Sequence, residues 1–294
     1  MTPPSRTALL SAFAAVYFIW GSTYLAMRVG VAAIPPFLLG GVRFLLAGAA
    51  FAGWARWRGA ARPTRHDWRS TAVIGCLMAA GGTGVVGWAL QTLPSGLGAL
   101  LVGMVPLWIA LIDWFRPGGR RPPGRVLLGL VLGFGGVALL VDPTAIGGVR
   151  QVDLVGALAV VGATALWASG SVYSRYARQP ESQALSAGMQ MLAGAALLLL
   201  LSALTGELRG LEWAAVPARA YAAWLYLLLL GSVAYASYLW LLKASTPAKA
   251  STYAYVNPVI ALLLGYFIGD EILTAWTLGC SGVVLAAVLL VVSR

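Results

Sequence analysis

Stretches of about 20 apolar residues recur along the whole chain, at roughly 8–28, 36–57, 70–91, 95–115, 124–141, 154–175, 184–204, 220–242, 248–268 and 274–292. A helix rises 1.5 Å per residue and the hydrocarbon core of a bilayer is about 30 Å thick, so each stretch is long enough to cross it. Proline and glycine punctuate the joints, as at Pro35-Pro36, Pro117-Gly118-Gly119 and Pro122-Pro123. The spacing predicts an all-α integral membrane protein of ten transmembrane helices. Only 10% of the 294 residues are charged and 60% are hydrophobic, whereas a soluble domain carries about 25% charge. The spans use up most of the length, which leaves no room for a soluble domain. Arg6 precedes an apolar run that continues to Met27, beyond the core of a cleaved leader, so the first stretch reads as a span.

The charges orient the bundle. With the N-terminus in the cytoplasm, fifteen cations fall on the inner side, among them Arg56, Arg58, Arg62, Arg65 and Arg69 in one loop and Arg116, Arg120, Arg121 and Arg125 in another. Arg28, Arg150, Arg209 and Arg219 fall outside, and Arg43 lies within a span. This is the bias of the positive-inside rule, with both termini cytoplasmic. It also accounts for the net charge of +11 without nucleic acid, since cations in short loops beside spans face anionic lipid headgroups.

A repeat runs through the chain. A shift of 147 places Trp20 on Trp167, Ser22 on Ser169, Arg28 on Arg175, Gly41 on Gly188 and Arg43 on Gln190, and a shift of 152 places Trp88 on Trp240 and Pro106 on Pro258. The halves are 1–150 and 151–294. Each holds five spans, an odd number, so the second must enter the membrane inverted. Inverted repeats recur in secondary transporters because exchanging the conformations of the halves turns an outward-open state into an inward-open one.

The segments Trp20-Gly21-Ser22-Thr23, Arg43-Phe44-Leu45-Leu46-Ala47-Gly48, Tyr255-Val256-Asn257-Pro258-Val259 and Gly269-Asp270-Glu271 resemble recurring motifs of the EamA branch of the drug/metabolite transporter superfamily. The resemblance spans essentially the whole chain. It implies a ten-helix basket with a cavity lined by helices 1, 3, 4, 6, 8 and 9, with helices 5 and 10 peripheral. Within the branch the chain most resembles YddG-type exporters of amino acids, aromatic ones included.

Among the residues themselves, Asp and Glu are missing from mid-depth and His66 lies in a basic inner loop, so no carboxylate proton relay is visible. Facilitated diffusion or exchange is then as open as proton antiport. Helical spacing groups candidate substrate contacts into faces: Tyr17, Trp20 and Tyr24; Met104 and Trp108; Trp167 and Ser171; Tyr235 and Tyr238; with Trp88 and Gln91 at a cavity mouth. Rings and hydroxyls suit a small zwitterion or aromatic solute, and each such residue is equally suited to packing between helices. Pro106 and Pro258 read as paired hinges or as tolerated membrane prolines, and Asn257 as a substrate contact or a partner for backbone freed by Pro258. Arg43, about 10 Å deep, either snorkels outward, binds a solute carboxylate or locks an outer gate. No H-E-x-x-H, G-x-S-x-G or deep acid pair points to an intramembrane enzyme, and nothing calls for a cofactor or metal. A passive channel remains an alternative. The expected partners are a small-molecule substrate and the lipid bilayer, with a monomer sufficient for both.

Overall fold

The computed structural model describes residues 5–116, 121–141, 153–209, 211–245, 250 and 252–292. Its helices are α1 (Arg6–Val31), α2 (Pro36–Trp57), α3 (Arg65–Ala89), α4 (Ser95–Phe115), α5 (Gly124–Val141), α6 (Leu154–Tyr176), α7 (Gln183–Leu204), α8 (Ala218–Ala244), α9 (Tyr253–Ile268) and α10 (Ala275–Val292). Seven are long and apolar enough to cross a membrane, and α5, α9 and α10 are shorter apolar helices. No strand occurs among the described residues. The expected spans 36–57, 95–115 and 124–141 match observed helices at both ends. Helix α3 begins five residues earlier than its apolar run, because Thr64 and Asp67 form a capping box that satisfies the first turn.

Several helices depart from α geometry. Wide, π-helical turns occur at Ala15–Ile19 in α1, Cys76–Gly84 in α3 and Leu227–Gly231 in α8. Helix α4 breaks at Gly103 and Met104, and its second half starts at Val105 with Pro106 in the first turn. There a proline sacrifices no hydrogen bond, because the first-turn N–H groups have no intrahelical acceptor. Pro258 lies inside α9.

Helix α2 packs along α7, α5 along α10, and α4 against α9. Helix α3 lies against α6 and α1 against α8, while α4 also meets α6 and α9 also meets α1. At the α2–α7 crossing a Cβ on Gly48 would stand 2.9 Å from the Gly188 carbonyl, and one on Gly188 2.7 Å from the Ala52 nitrogen. Only glycine lets the two backbones approach so closely.

Polar contacts identify which helix ends lie together. The Glu271 carboxylate pairs with Arg28 and accepts from the Ser95 and Gly96 backbone N–H groups at 2.6 and 3.1 Å. The Glu207 carboxylate accepts from the Phe37 and Leu38 N–H groups at 3.1 and 2.7 Å, and the Thr92 hydroxyl meets Asp153 at 2.5 Å. The ends of α1, α3, α7 and α9 therefore gather with the starts of α2, α4 and α6. At the opposite end Asp67, at the start of α3, faces Arg178 beyond the end of α6 at 4.0 Å.

Candidate functional site

Four helices bring an aromatic layer to the middle of the bundle. The Trp20 ring stands 5.4 Å from Trp167, 5.4 Å from Tyr253 and 5.1 Å from Tyr238. Trp167 in turn meets Tyr238 at 5.6 Å and Tyr235 at 5.9 Å. Such tilted and edge-on pairs match the quadrupoles of the rings and hold the layer rigidly. Two hydroxyl contacts brace it: Ser171 with Tyr238 at 3.1 Å, and Tyr17 with Thr252.

A cavity of about 70 Å³ opens against this layer. Its wall is formed by Trp20, Thr23, Tyr24 and Met27 of α1, Gly82, Thr83 and Val86 of α3, Val102 and Val105 of α4, Ala163, Thr164 and Trp167 of α6, and Tyr253 of α9. The threonine hydroxyls are committed to their own helices: Thr23 donates to the Trp20 carbonyl at 2.7 Å and Thr164 to the Val161 carbonyl at 2.6 Å. The lining contains no Asp, Glu, Lys, Arg or His. Such a space suits a small, mainly apolar solute, since drug-sized ligands need about 300 Å³ or more.

Of the expected contacts, Trp20, Tyr24 and Trp167 border the cavity. Tyr238 and Ser171 stand behind Trp20 and Trp167, and Tyr235 packs on Trp167 and Phe44. Met104 is buried at the α4 break, and Trp108 turns to Phe134 of α5, their rings 5.1 Å apart. Tyr17 faces α9 through Thr252. Trp88 and Gln91 line a separate vestibule of about 450 Å³ with Phe37, Glu207 and Arg209. Asn257 is committed to the backbone: with its amide nitrogen turned to α1 it donates to the Val16 and Tyr17 carbonyls at 3.2 and 3.1 Å, within the wide turn. Pro106 and Pro258 lie in the crossing helices α4 and α9 and are not among the lining residues, although Val105 beside Pro106 is.

Arg43 does not snorkel. It is 4% exposed, its guanidinium lies over the Phe44 ring at 4.4 Å, and its Nε has no hydrogen-bond partner.

Sequence reasoning passed over Thr23, Met27, Gly82, Thr83, Thr164 and Tyr253. Thr23, Tyr24 and Met27 follow Trp20 at helical spacing, and Thr164 lies one turn before Trp167, so the faces of α1 and α6 carried a readable signal. Gly82 and Thr83 did not, because the wide turn at Cys76–Gly84 rotates the face that α3 presents.

The model of the EamA-like transporter family matches the chain twice, over residues 6–142 and 154–293. The chain is 35% identical to the uncharacterized inner membrane transporter YedA of Escherichia coli (strain K12), covering 96% of this chain and 90% of that protein. It is 25% identical to the uncharacterized transporter YvbV of Bacillus subtilis (strain 168), covering 92% and 87% respectively. A solved crystal structure superposes with a TM-score of 0.66 over 98% of this chain and 96% of that one; at 24% identity this likeness concerns the fold alone.

Proposed function

The chain belongs to the EamA-like transporter family, and on that premise we propose that it exports small metabolites across the inner membrane by alternating access, amino acids with aromatic or apolar side chains being the first class to test. The observation that carries this reading is the aromatic-walled cavity enclosed by α1, α3, α4, α6 and α9. Stacking and apolar contact with Trp20, Trp167 and Tyr253 favour a ring-bearing or aliphatic solute of modest size.

Ten spans in two inverted halves supply the motion. Two features support this. Exchanging each helix of 1–150 for the one five places later carries the main packing pairs into one another: α3–α6 becomes α8–α1, α4–α6 becomes α9–α1, and α2–α7, α5–α10 and α4–α9 map onto themselves. Helices α1 and α3 end where α6 begins, and α2 and α4 begin where α7 and α9 end. Rocking of two such halves about the α4–α9 crossing would expose the cavity to each side in turn. The cytoplasmic placement of both termini rests on the distribution of cations.

Reconstitution into liposomes with a panel of labelled amino acids, with and without a pH gradient, tests the reading. Saturable uptake stimulated by solute on the opposite face is expected of a carrier. Flux that rises in proportion to concentration, without such stimulation, would instead establish a passive channel.

A further inference from the structure

Arg43 is a buried cation without an acid. Its side chain comes from α2 and reaches the space between α1 and α8, and none of the described carboxylates pairs with it. A guanidinium stays charged at any pH a cell experiences. A charge taken out of water with no counter-ion is costly, so a protein that keeps one has a use for it or supplies a transient partner.

The surroundings indicate where that partner comes from. Thr23, which lines the cavity, and Arg43 both come near the same residue of α8. A Cβ placed on Gly231 would stand 3.6 Å from Thr23 Cγ2 and 3.7 Å from Arg43 Nη1. Gly231 closes the wide turn of α8 and carries no side chain where Thr23 and the guanidinium come near it. The cavity wall offers apolar and aromatic surface and no acid to receive an ammonium group.

We propose that Arg43 is the counter-charge for the carboxylate of the transported solute, reached past the side-chain-free Gly231, and that small aromatic or apolar organic anions are the preferred cargo over zwitterionic amino acids. This rests on the transport reading above and narrows its substrate class. It also explains how export proceeds without a carboxylate relay. An anion leaves an inside-negative cell downhill, and the membrane potential alone sustains about a tenfold concentration ratio of a monovalent anion for each ~60 mV.

The test compares labelled phenylpyruvate, an anion at neutral pH, with phenylalanine in proteoliposomes of the full chain, under potassium diffusion potentials set with valinomycin. Phenylpyruvate is expected to move at least tenfold faster at equal concentration, and to accumulate when the interior is made positive. Arg43→Gln is expected to lower the phenylpyruvate-to-phenylalanine flux ratio at least tenfold, and Arg43→Lys to restore part of it. Gly231→Ala adds a methyl at ordinary contact distance, so it folds even if an Arg43 variant does not, and it is expected to lower the same ratio several-fold. An unchanged ratio in folded Arg43→Gln or in Gly231→Ala, or phenylpyruvate flux indifferent to potential, would overturn the inference and leave transport standing. No saturable flux of either solute, or of any amino acid, from monodisperse protein would overturn the transport reading and this inference with it.

Discussion

Gly103 of α4 faces Pro258 of α9 at the crossing of the two helices: a Cβ on Gly103 would stand 3.7 Å from the Pro258 ring and 3.0 Å from the Ala254 carbonyl. It would also stand 2.8 Å from the Leu100 carbonyl of α4 itself, and both near obstacles are backbone, which cannot turn aside as a side chain would. Gly103→Ala therefore has to spread α4 and α9 by a few tenths of an ångström, and Gly103→Leu by far more. Overpacking of this kind costs about 1–3 kcal/mol. The Ala variant is expected to lose a few degrees in melting temperature in detergent and several-fold in transport rate, and the Leu variant at least tenfold in rate. Wild-type rates in both would show that the crossing is not a pivot.

The two prolines predict unequal effects. Pro106 stands in the first turn after the α4 break, where helix geometry already lacks a hydrogen bond, whereas Pro258 interrupts α9 from within. Pro258→Ala is expected to straighten α9 and change the transport rate about tenfold, and Pro106→Ala to change it less than threefold. Unchanged rates in both variants would end the hinge assignment.

Glu271 and Arg28 also differ in what each would leave behind. The Glu271 side chain is 4% exposed and serves two backbone N–H groups of α4 as well as Arg28, whose side chain is 37% exposed and opens to solvent. Removing the carboxylate leaves two buried N–H groups at the start of α4 without an acceptor, so Glu271→Ala is expected to destabilise by about 2–5 kcal/mol at roughly 1–3 kcal/mol per orphaned donor. Arg28→Ala leaves the caps intact and is expected to cost about 1 kcal/mol or less. Denaturation of both variants in detergent reads the difference, and equal losses would show that the capping bonds contribute nothing.

Much of this architecture is written in the sequence because the bilayer imposes a simple rule. Apolar runs such as 36–57 and 95–115 coincide with helices because a segment crossing lipid must satisfy its backbone internally, and a helix does so. Trp20 and Trp167 were legible as a pair from the 147-residue shift, and they meet at 5.4 Å. The face of α3 and the wide turns of α3 and α8 were not legible, although Tyr235 and Tyr238 of α8, grouped by helical spacing, both reach the aromatic layer. Wide turns at Cys76–Gly84 and Leu227–Gly231 add residues to a helical turn, and no local residue pattern announces them. The role of Asn257 was half legible. Its place beside Pro258 suggested a backbone partner, yet that partner lies on α1, more than two hundred residues away in the chain.

Asp153, just outside α6, predicts a response to acid. The Thr92 hydroxyl, followed by backbone N–H groups at the start of the helix, holds its carboxyl below the usual carboxylate range. A carboxyl depressed in the folded state adds stability that is fully present above its ordinary value near 4 and is lost as pH falls through the lower folded value. Thr92→Val removes the first of these donors. The variant is expected to be less stable than the parent near pH 6 and to lose less on acidification, the two melting-temperature profiles converging as pH falls through the folded value. Superimposable profiles would show that the Thr92 contact carries no linkage.

Asn257 supplies the most local test of how α1 is held. The wide turn at Ala15–Ile19 withdraws carbonyls from the regular ladder, and the buried Asn257 amide donates to two of them, Val16 and Tyr17. In a dry interior an acceptor left without a donor costs about 1–3 kcal/mol. Asn257→Leu keeps the branch point, adds some bulk and removes the donor; Asn257→Asp keeps the shape but sets a carboxylate against two carbonyls. Both are expected to destabilise, Asp more than Leu at neutral pH, and protonating the Asp at low pH should restore part of its loss because a carboxylic acid regains one donor. Since Trp20 begins the helical segment that follows this turn, loosening it should also displace the ring from Trp167. A shift in tryptophan emission that accompanies the stability loss is the expected signature, and a stability loss with unchanged emission would separate the turn from the aromatic layer.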